Sequence, residues 1–350
     1  MRRLSIAVVA GFLALSGGPT QAQQSPGPAA IPAADWSAYK QKFLDGSGRI
    51  IDDGNGGISH SEGQGYGMLL SYLAGNRADF ELIWSFTRTE LLLRDDGLAV
   101  WKWDPKSTPH IADVNNATDG DILIAYALAL AGEAWGVSEY SRTALELVQA
   151  IGRAALVKAD GAIVILPGVS GFSAGDRDDG PVVNLSYWIY EAFPIFARID
   201  KDVLWDAVSR DGMTLLRQAR MGPRNLPPDW LSLAGTPKPA EGFVRRFGYE
   251  SLRIPLYLVR AGVEDKDLLK SLGEGMSAPD GVVLVDPATG TVEETLADKG
   301  YRIIPALAAC IAGGQAVPDE LRGFEPTLYY PSTLHLLALA FLAEHPGKCR

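Results

Sequence analysis

Apolar residues recur every three to four positions along most of the chain, which is the period of helices that bury one face. Gly, Pro, Asn and Asp separate these segments at the places where helices commonly begin or end. The pattern predicts helices over residues 35–45, 62–75, 78–94, 119–135, 138–156, 184–199, 201–219, 248–263, 265–276, 300–313 and 330–345.

Two short segments have β-like character instead of helical periodicity. They are residues 162–166 and 282–285, and the second turns through 287–290 as a hairpin would. Many helices and few strands predict an all-α domain, built from packed helical hairpins with short strands in its loops.

The segment 117–135 predicts a helix that is apolar on nearly every side, and such a helix belongs in the interior of a protein. Thr118 is its expected N-cap, and Asp119 and Asp121 lie in the first turn, where carboxylates suit the positive end of the helix. Capping accounts for one of the two carboxylates. A functional site at the mouth of the helix is the alternative.

A second unusual segment is I-S-H-S-E-G-Q-G-Y-G-M at residues 58–68, in which Gly63, Gly65 and Gly67 follow Glu62. Each glycine weakens a helix by roughly 1 kcal/mol relative to alanine. A bulky ligand close to this backbone is one explanation, and a simple glycine-rich turn before the helix is the other.

These two segments, S-E-G-Q-G-Y-G-M and A-T-D-G-D-x-x-I-A-x-A-L, resemble glycoside hydrolase family 8 in sequence and in order. The resemblance covers about residues 35–345, the expected single catalytic domain. It implies an (α/α)6 barrel with inner and outer rings of helices, a substrate cleft at one end, and hydrolysis of internal β-1,4-glucosidic bonds with inversion. It implies neither a metal nor a cofactor.

The same resemblance implies the catalytic residues. Glu62 matches the general acid, kept protonated by burial beside Asp119, and Asp119 would hold hydroxyls of the distorted sugar. F-G-Y-E-S-L-R-I-P at 247–255 is similar to the family's Tyr-Asp-x-x-Arg-x-Pro motif, whose acid is the general base in many members, and here Glu250 replaces that Asp. This replacement leaves three outcomes open. Glu250 is the base, a different residue such as Asp179 is the base, or the enzyme has low activity. We favour the first.

Four aromatic residues are candidate sugar platforms. Trp101 and Trp103 flank Lys102, and alternate residues of an extended segment face the same way. Tyr329 and Tyr330 resemble family aromatics on the plus side of the cleft. Core packing is the alternative for both pairs, because Trp and Tyr serve both uses.

Four polar or amphipathic residues complete the expected site. By resemblance, Asn184 and Tyr187 lie near the cleft, and Tyr249 and Arg253 orient the attacking water. The loop 175–180 carries three aspartates that are expected to be turn residues. A calcium loop is the alternative there, although the closing glutamate is missing.

Composition and charge restrict the partners. The chain is 47% hydrophobic and 21% charged, which is enough apolar material for a large core. Its net charge of -10 argues against nucleic acid or an anionic membrane as partner. A neutral or cationic ligand is compatible with it.

The first 34 residues are expected to lie outside the catalytic domain. Residues 1–22 combine Arg2 and Arg3, an apolar stretch and a small-residue end, which predicts a signal peptide cleaved after Ala22. Residues 23–34 predict a flexible leader. Export to the periplasm or medium would permit one disulfide between Cys310 and Cys349, and two free thiols are the alternative.

The sequence therefore predicts an exported, monomeric endo-β-1,4-glucanase. Its single exported domain resembles the periplasmic glucanases that accompany bacterial cellulose synthesis, which implies a functional link to a cellulose synthase complex. A chitosanase or xylanase on the same scaffold is the alternative within the class. A non-catalytic glycan-binding protein is the alternative outside it.

Overall fold

The computed structural model describes residues 29–350. The predicted signal peptide 1–22 and residues 23–28 of the predicted leader lie outside the described residues. The described end of that leader is packed against the domain, contrary to the expectation of flexibility. Ile31 is fully buried and its amide donates to Leu73 O at 3.2 Å, because this apolar side chain reaches the core before the first helix starts at Ala33.

Helices dominate the described chain. They are α1 (Ala33–Phe43), α2 (Ser61–Leu73), α3 (Arg77–Phe86), α4 (Thr118–Trp135), α5 (Ser138–Ala154), α6 (Phe193–Ile199), α7 (Trp205–Ala219), α8 (Ile254–Arg260), α9 (Lys266–Met276), α10 (Lys299–Gly313) and α11 (Tyr329–Glu344). A π turn, Thr87–Leu91, extends α3, and 3-10 turns occupy Leu185–Tyr187, Ser251–Arg253 and Asp319–Leu321.

The helices form the expected (α/α)6 barrel. The inner ring runs through α2, α4, the Leu185–Tyr187 turn with α6, α8, α10 and α11, and α11 contacts α2 to close it. Helices α2, α4, α8 and α11 are buried on nearly every side, as the apolar sequence of α4 predicts for that helix. Helices α1, α3, α5, α7 and α9 alternate with the inner segments along the chain and form the outer ring. Their exposed polar faces suit that position.

Most predicted helices are confirmed, and four have different bounds. The one expected over 78–94 ends at Phe86 and continues only as the π turn to Leu91. The helix expected over 184–199 is interrupted, because the fixed ring of Pro194 favours the first turn of a new helix at α6. The one expected over 248–263 starts with the 3-10 turn at Ser251 and ends at Arg260. The one expected over 201–219 starts only at Trp205. Thr118 is the first helical residue of α4 and not its N-cap, since its hydroxyl donates to Leu166 O at 2.7 Å.

Short antiparallel strands lie in the loops between the helices. They are β1 (Ser59–His60), β2 (Lys102–Trp103), β3 (Leu156–Ala159), β4 (Ala162–Ile165), β5 (Val182–Val183), β6 (Leu231–Ser232), β7 (Lys238–Pro239), β8 (Ser277–Ala278), β9 (Gly281–Val285) and β10 (Val292–Leu296). The strands pair as β1-β2, β3-β4, β5-β6-β7 and β10-β9-β8. Both β segments predicted from the sequence are confirmed as β4 and β9.

A disulfide joins Cys310 on α10 to Cys349 near the end of the chain. It decides between the two expectations for these cysteines and holds the residues after α11 against the barrel. Residues 29–350 include no helix that is both long and apolar enough to cross a membrane.

Replacing both cysteines with serine is expected to lower the free energy of unfolding by about 3–4 kcal/mol, since the bridge closes a loop with a sequence separation of 39 residues. Urea denaturation of the oxidised wild type and the double variant measures the difference. Turnover at 25 °C should not change, because neither cysteine lines the cavity described below. Equal denaturation midpoints would contradict the expectation.

Candidate active site

The first turns of all six inner segments line one cavity of about 420 Å³. Side chains therefore converge there from stretches that are far apart in the sequence. The lining residues are Asp52, Gly54, Asn55, His60, Ser61, Glu62, Trp101, Ala117, Asp119, Tyr187, Tyr249, Glu250, Arg253, Tyr301, Leu328, Tyr330 and Pro331.

Close packing of α2 on α4 fixes Glu62 beside Asp119. A Cβ atom on Gly65 would lie 2.5 Å from Leu123 Cβ, and one on Gly120 would lie 2.6 Å from the backbone nitrogen of Glu62. Neighbouring protein therefore fills the space beside Gly65, and a ligand is not needed to explain that glycine. A Cβ on Gly67 would likewise meet Ile50.

Gly120→Ala is expected to lower the free energy of unfolding by about 1–3 kcal/mol, because the added methyl group overlaps the first turn of α2. Turnover should fall as well, since α2 carries Glu62. Gly313→Ala is the matched control, because a Cβ there meets no atom within 4 Å. Urea denaturation and rate measurements on both variants test this, and equal behaviour would show that the contact has no effect.

Arg253 brings the three predicted catalytic carboxylates together. Its Nη2 lies 2.8 Å from Asp119 Oδ2 and 3.0 Å from Glu250 Oε2, while Nη1 contacts Glu62 Oε1. The Arg253 side chain is only 2% exposed, so this is a buried cluster rather than a surface ion pair. Ser186 Oγ lies 2.9 Å from Nη2 and helps to hold the guanidinium in place.

The cluster contains more carboxylates than cations. Burial raises the pKa of Asp119, and burial together with Asp119 and Asp229 raises the pKa of Glu250. About a third of the Glu250 side chain remains exposed (34%), which limits the effect of burial on that residue. Three carboxylates around one guanidinium favour retention of a proton within the group.

His60 and Asp52 are cavity residues that the sequence did not single out. His60 Nδ1 accepts the amide of Gly63 at 3.0 Å and so caps α2. Its Nε2 lies 3.4 Å from Asp52 Oδ2, and Nδ1 lies 3.7 Å from Glu62 Oε2. An amide donor at Nδ1 places the ring proton of the neutral histidine on Nε2, facing Asp52.

Asp121, the second carboxylate in the first turn of α4, has a structural role. It accepts the Ala99 amide at 2.8 Å and the Asn116 side-chain amide at 2.9 Å. Burial raises its pKa to about 7. It connects the start of α4 to the preceding loop and does not line the cavity.

Trp101 lines the cavity and Trp103 does not. Trp103 packs against Phe86, and its ring centroid lies 4.2 Å from that of His110. The Arg49 guanidinium lies 4.3 Å from the Trp103 ring. The alternation expected of an extended segment does not include Trp101, because only Lys102–Trp103 is extended as a strand.

The two adjacent tyrosines also separate. Tyr330 lines the cavity and its hydroxyl donates to Tyr249 O at 2.7 Å. Tyr329 is 1% exposed and packs edge-on against Phe43 and His60, because consecutive residues of α11 point in different directions. Tyr301, which the sequence did not predict, lies between Tyr249 and Tyr330, with ring centroids 6.2 Å from each.

Tyr187 lines the cavity, whereas Asn184 lies behind it. Asn184 is fully buried, and its Oδ1 accepts the amide and the hydroxyl of Ser186, at 3.0 and 2.8 Å. Asn184 does not line the cavity, but it holds Ser186, and its side chain also lowers the pKa of Glu250. Ser186 in turn contacts both Arg253 and Glu250.

Two of the three aspartates in the loop 175–180 form contacts within loops. Asp176 accepts Ser173 Oγ at 2.8 Å. Asp179 accepts Arg177 Nε at 2.8 Å and the Glu241 amide at 2.7 Å, and it does not line the cavity. Among the described residues, no group of three His, Cys, Asp or Glu side chains is arranged to hold a metal ion.

Comparison with known proteins places this cavity in a family. The model of glycosyl hydrolases family 8 matches residues 21–274. The chain belongs to glycosyl hydrolase family 8. The resemblance stated from the motifs is thereby confirmed, and the protein is a glycoside hydrolase.

Relatives agree in sequence and in structure. A probable endoglucanase of Novacetimonas hansenii is 35% identical over 342 residues, which is 94% of this chain and 96% of that protein. The crystal structure of the family 8 endoglucanase Cel10 from Klebsiella pneumoniae is 32% identical, with a TM-score of 0.78 over 89% of this chain and 99% of that one. The endo-β-1,4-glucanase CMCax of Acetobacter xylinum is 33% identical, with a TM-score of 0.80 over 91% of this chain and 99% of that chain.

Proposed function

We propose that this family 8 hydrolase is an endoglucanase that cleaves internal β-1,4-glucosidic bonds of cellulose-like glucan with inversion. The observation that carries the proposal is the convergence of Glu62, Asp119 and Glu250 on Arg253 in one cavity. The printed names of the relatives support the choice of a β-1,4-glucan as substrate.

In the proposed reaction Glu62 gives its proton to the oxygen of the leaving sugar. Glu250 removes a proton from a water molecule, which attacks the anomeric carbon from the opposite face. The bond from that carbon to the leaving oxygen breaks as the bond to water forms, so the configuration inverts. Asp119 would accept hydroxyl groups of the distorted sugar at the cleavage point.

Arg253 has a double role in this proposal. It holds Asp119 and Glu250 through Nη2, and its Nη1 contacts Glu62. A guanidinium contact stabilises a charged carboxylate, so Glu62 must exchange this contact for the glycosidic oxygen before it acts as an acid. Substrate binding would supply that exchange.

Trp101, Tyr187, Tyr249, Tyr301 and Tyr330 would bind the sugar rings. They line the same cavity as the carboxylates, and aromatic faces suit the C–H surfaces of pyranose rings while hydroxyls find polar partners at the edges. Glu250 is one methylene longer than the Asp of the family motif. Its contacts to Arg253 and Ser186 support the proposal that the longer side chain folds back to a working position.

Release of reducing ends from carboxymethylcellulose, chitosan and xylan, measured side by side, tests the proposal. We expect the highest kcat/KM on carboxymethylcellulose, with a rapid fall in its viscosity because cleavage is internal. Faster release from chitosan or xylan would reassign the substrate. Binding of these polymers without release from any of them would favour the non-catalytic alternative.

The cellular setting is part of the same proposal. Residues 1–22 support export, and with it a monomeric enzyme of the periplasm or medium that works beside a cellulose synthase complex. The amino-terminal residue of protein recovered from the periplasm tests export. The mass of the protein in solution tests the monomeric state. Retention of residues 1–22 in the recovered protein would contradict export by a cleaved signal.

A further inference from the structure

We infer that Asp229 is a positioning residue that fixes Glu250 and Arg253 by capping, from a distant segment, the turn that carries both. The inference rests on the proposed function of these two residues. Asp229 Oδ1 accepts the amides of Gly248 and Ser251, each at 2.9 Å, and Glu250 lies between them. The Asp229 amide donates to Arg246 O at 2.7 Å, so the segment is held on both sides of Glu250.

The need for an outside cap follows from the local sequence. The first amides of a helix have no intrahelical partner, and a side chain at the N-cap position usually accepts one of them. Glu250 occupies the N-cap position of the Ser251–Arg253 turn, and its side chain makes no such bond in the described chain. It contacts Ser186 and Arg253 at the cavity instead. Asp229 supplies the cap and leaves the Glu250 carboxylate available for the cavity.

Gly248 permits this arrangement. A Cβ atom at position 248 would lie 2.4 Å from Asp229 Oδ2, so no other residue fits without displacing the carboxylate. Leu252 also donates its amide to Gly248 O at 3.1 Å, which continues the turn into α8. The missing side chain of Gly248 thus leaves room for the carboxylate of Asp229, which lies 19 residues earlier in the sequence.

Asp229 is buried, with 8% exposure, and burial raises its pKa to about 6. The two amides oppose this effect, because a hydrogen bond from a backbone amide favours the charged carboxylate. The positive charge of Arg246 also lowers this pKa. Asp229 does not line the cavity, so its effect on the reaction passes through Glu250 and Arg253, by the cap and by the charge that raises the pKa of Glu250.

Kinetics of Asp229→Ala and Asp229→Asn on carboxymethylcellulose test the inference. A shift of about 1 Å at a reacting group costs up to about 10²-fold in rate, so we expect Ala to lower kcat by about 10–100-fold and KM to change by less than about threefold. Asn keeps an Oδ1 acceptor and should restore kcat to within about threefold of wild type. No loss with Ala, or no rescue by Asn, overturns the inference.

Asp179→Ala is the matched control. Asp179 is another buried carboxylate that accepts a backbone amide from a distant segment, but it holds the loop at Glu241 and lies outside the cavity. Its removal should lower stability without lowering kcat per folded molecule. Equal losses of kcat in Asp179→Ala and Asp229→Ala would show that Asp229 acts only through the stability of the protein. That result would overturn the inference.

Hydrogen exchange of the Gly248 and Ser251 amides gives a readout that does not need activity. We expect faster exchange at both amides in Asp229→Ala and retained protection in Asp229→Asn. Unchanged exchange in the Ala variant overturns the inference.

A wild type that releases no reducing ends would count against the proposed function alone. If Asp229→Ala does not fold, Gly248→Ala displaces the same carboxylate and should lower kcat to a similar extent, and wild-type kcat in that variant overturns the inference.

Discussion

Glu62→Gln is expected to lower kcat on a soluble β-1,4-glucan by about 10²–10⁴-fold, the range that a general acid contributes. Gln has the same shape and can still accept a contact from Arg253 through its carbonyl oxygen, but it has no proton to give to the leaving sugar oxygen. Rates of reducing-end release from carboxymethylcellulose by the two proteins measure the loss. A near wild-type rate would end the assignment of Glu62 as the acid.

A substrate with a better leaving group separates lost chemistry from lost structure. Dinitrophenolate leaves a β-cello-oligoside without a proton, so Glu62→Gln should hydrolyse such a substrate at close to the wild-type rate. An equally large loss on both substrates would mean that the substitution has disturbed the cavity, and that the role of Glu62 is not acid catalysis.

Glu250→Gln is expected to lower kcat by about 10²–10⁴-fold on both the polysaccharide and the activated aryl substrate. Water must still be deprotonated when the leaving group is good, so a better leaving group does not compensate for a missing base. This pattern across the two substrates distinguishes the base from the acid. Measurement of both variants on both substrates completes the comparison.

Asp179→Asn is the control for the base. Asp179 accepts Arg177 and the Glu241 amide and lies outside the cavity, so the variant should keep wild-type turnover. Near wild-type turnover by Glu250→Gln together with a large loss in Asp179→Asn would transfer the role of base to Asp179.

The helical periodicity predicted an all-α domain, and the resemblance to the family implied the barrel. Inner helices such as α4 and α11 are apolar on nearly every side and outer helices such as α5 have one buried face, so their sequences already indicate their depth in the fold. The motifs around Glu62, Asp119 and Glu250 predicted which helix starts meet. The strand β3 was missed, although Asp160-Gly161 between β3 and β4 has the positive φ angles, 47° and 85°, of a tight hairpin turn.

Side-chain direction was predicted less well than helix position. Trp103 and Tyr329 turn away from the cavity because each is fixed by neighbours from other segments, Arg49 and His110 in one case and Phe43 and His60 in the other. The period of a helix or strand predicts which residues share a face, but this holds only where the element is regular. The two residues of β2 are too few to fix the direction of Trp101.

Residues that act through contacts between distant segments gave no signal in the sequence. Asp229 caps a turn about 20 residues further along the chain, and Tyr301 reaches the cavity only because α10 belongs to the inner ring. The glycines after Glu62 did give a signal of close approach. Their neighbours are Tyr329, Leu123 and Ile50, so protein packing accounts for the close approach for which a ligand was one of two explanations.

The configuration of the first product tests the central claim most directly. A glucan hydrolysed in an NMR tube shows its new anomeric proton before mutarotation mixes the two forms. If Glu62 protonates the leaving oxygen while Glu250 directs water to the opposite face, the first sugar released from a β-linked chain is the α-anomer. A β-anomer as first product would contradict the account, because it would require a covalent intermediate on one of these carboxylates.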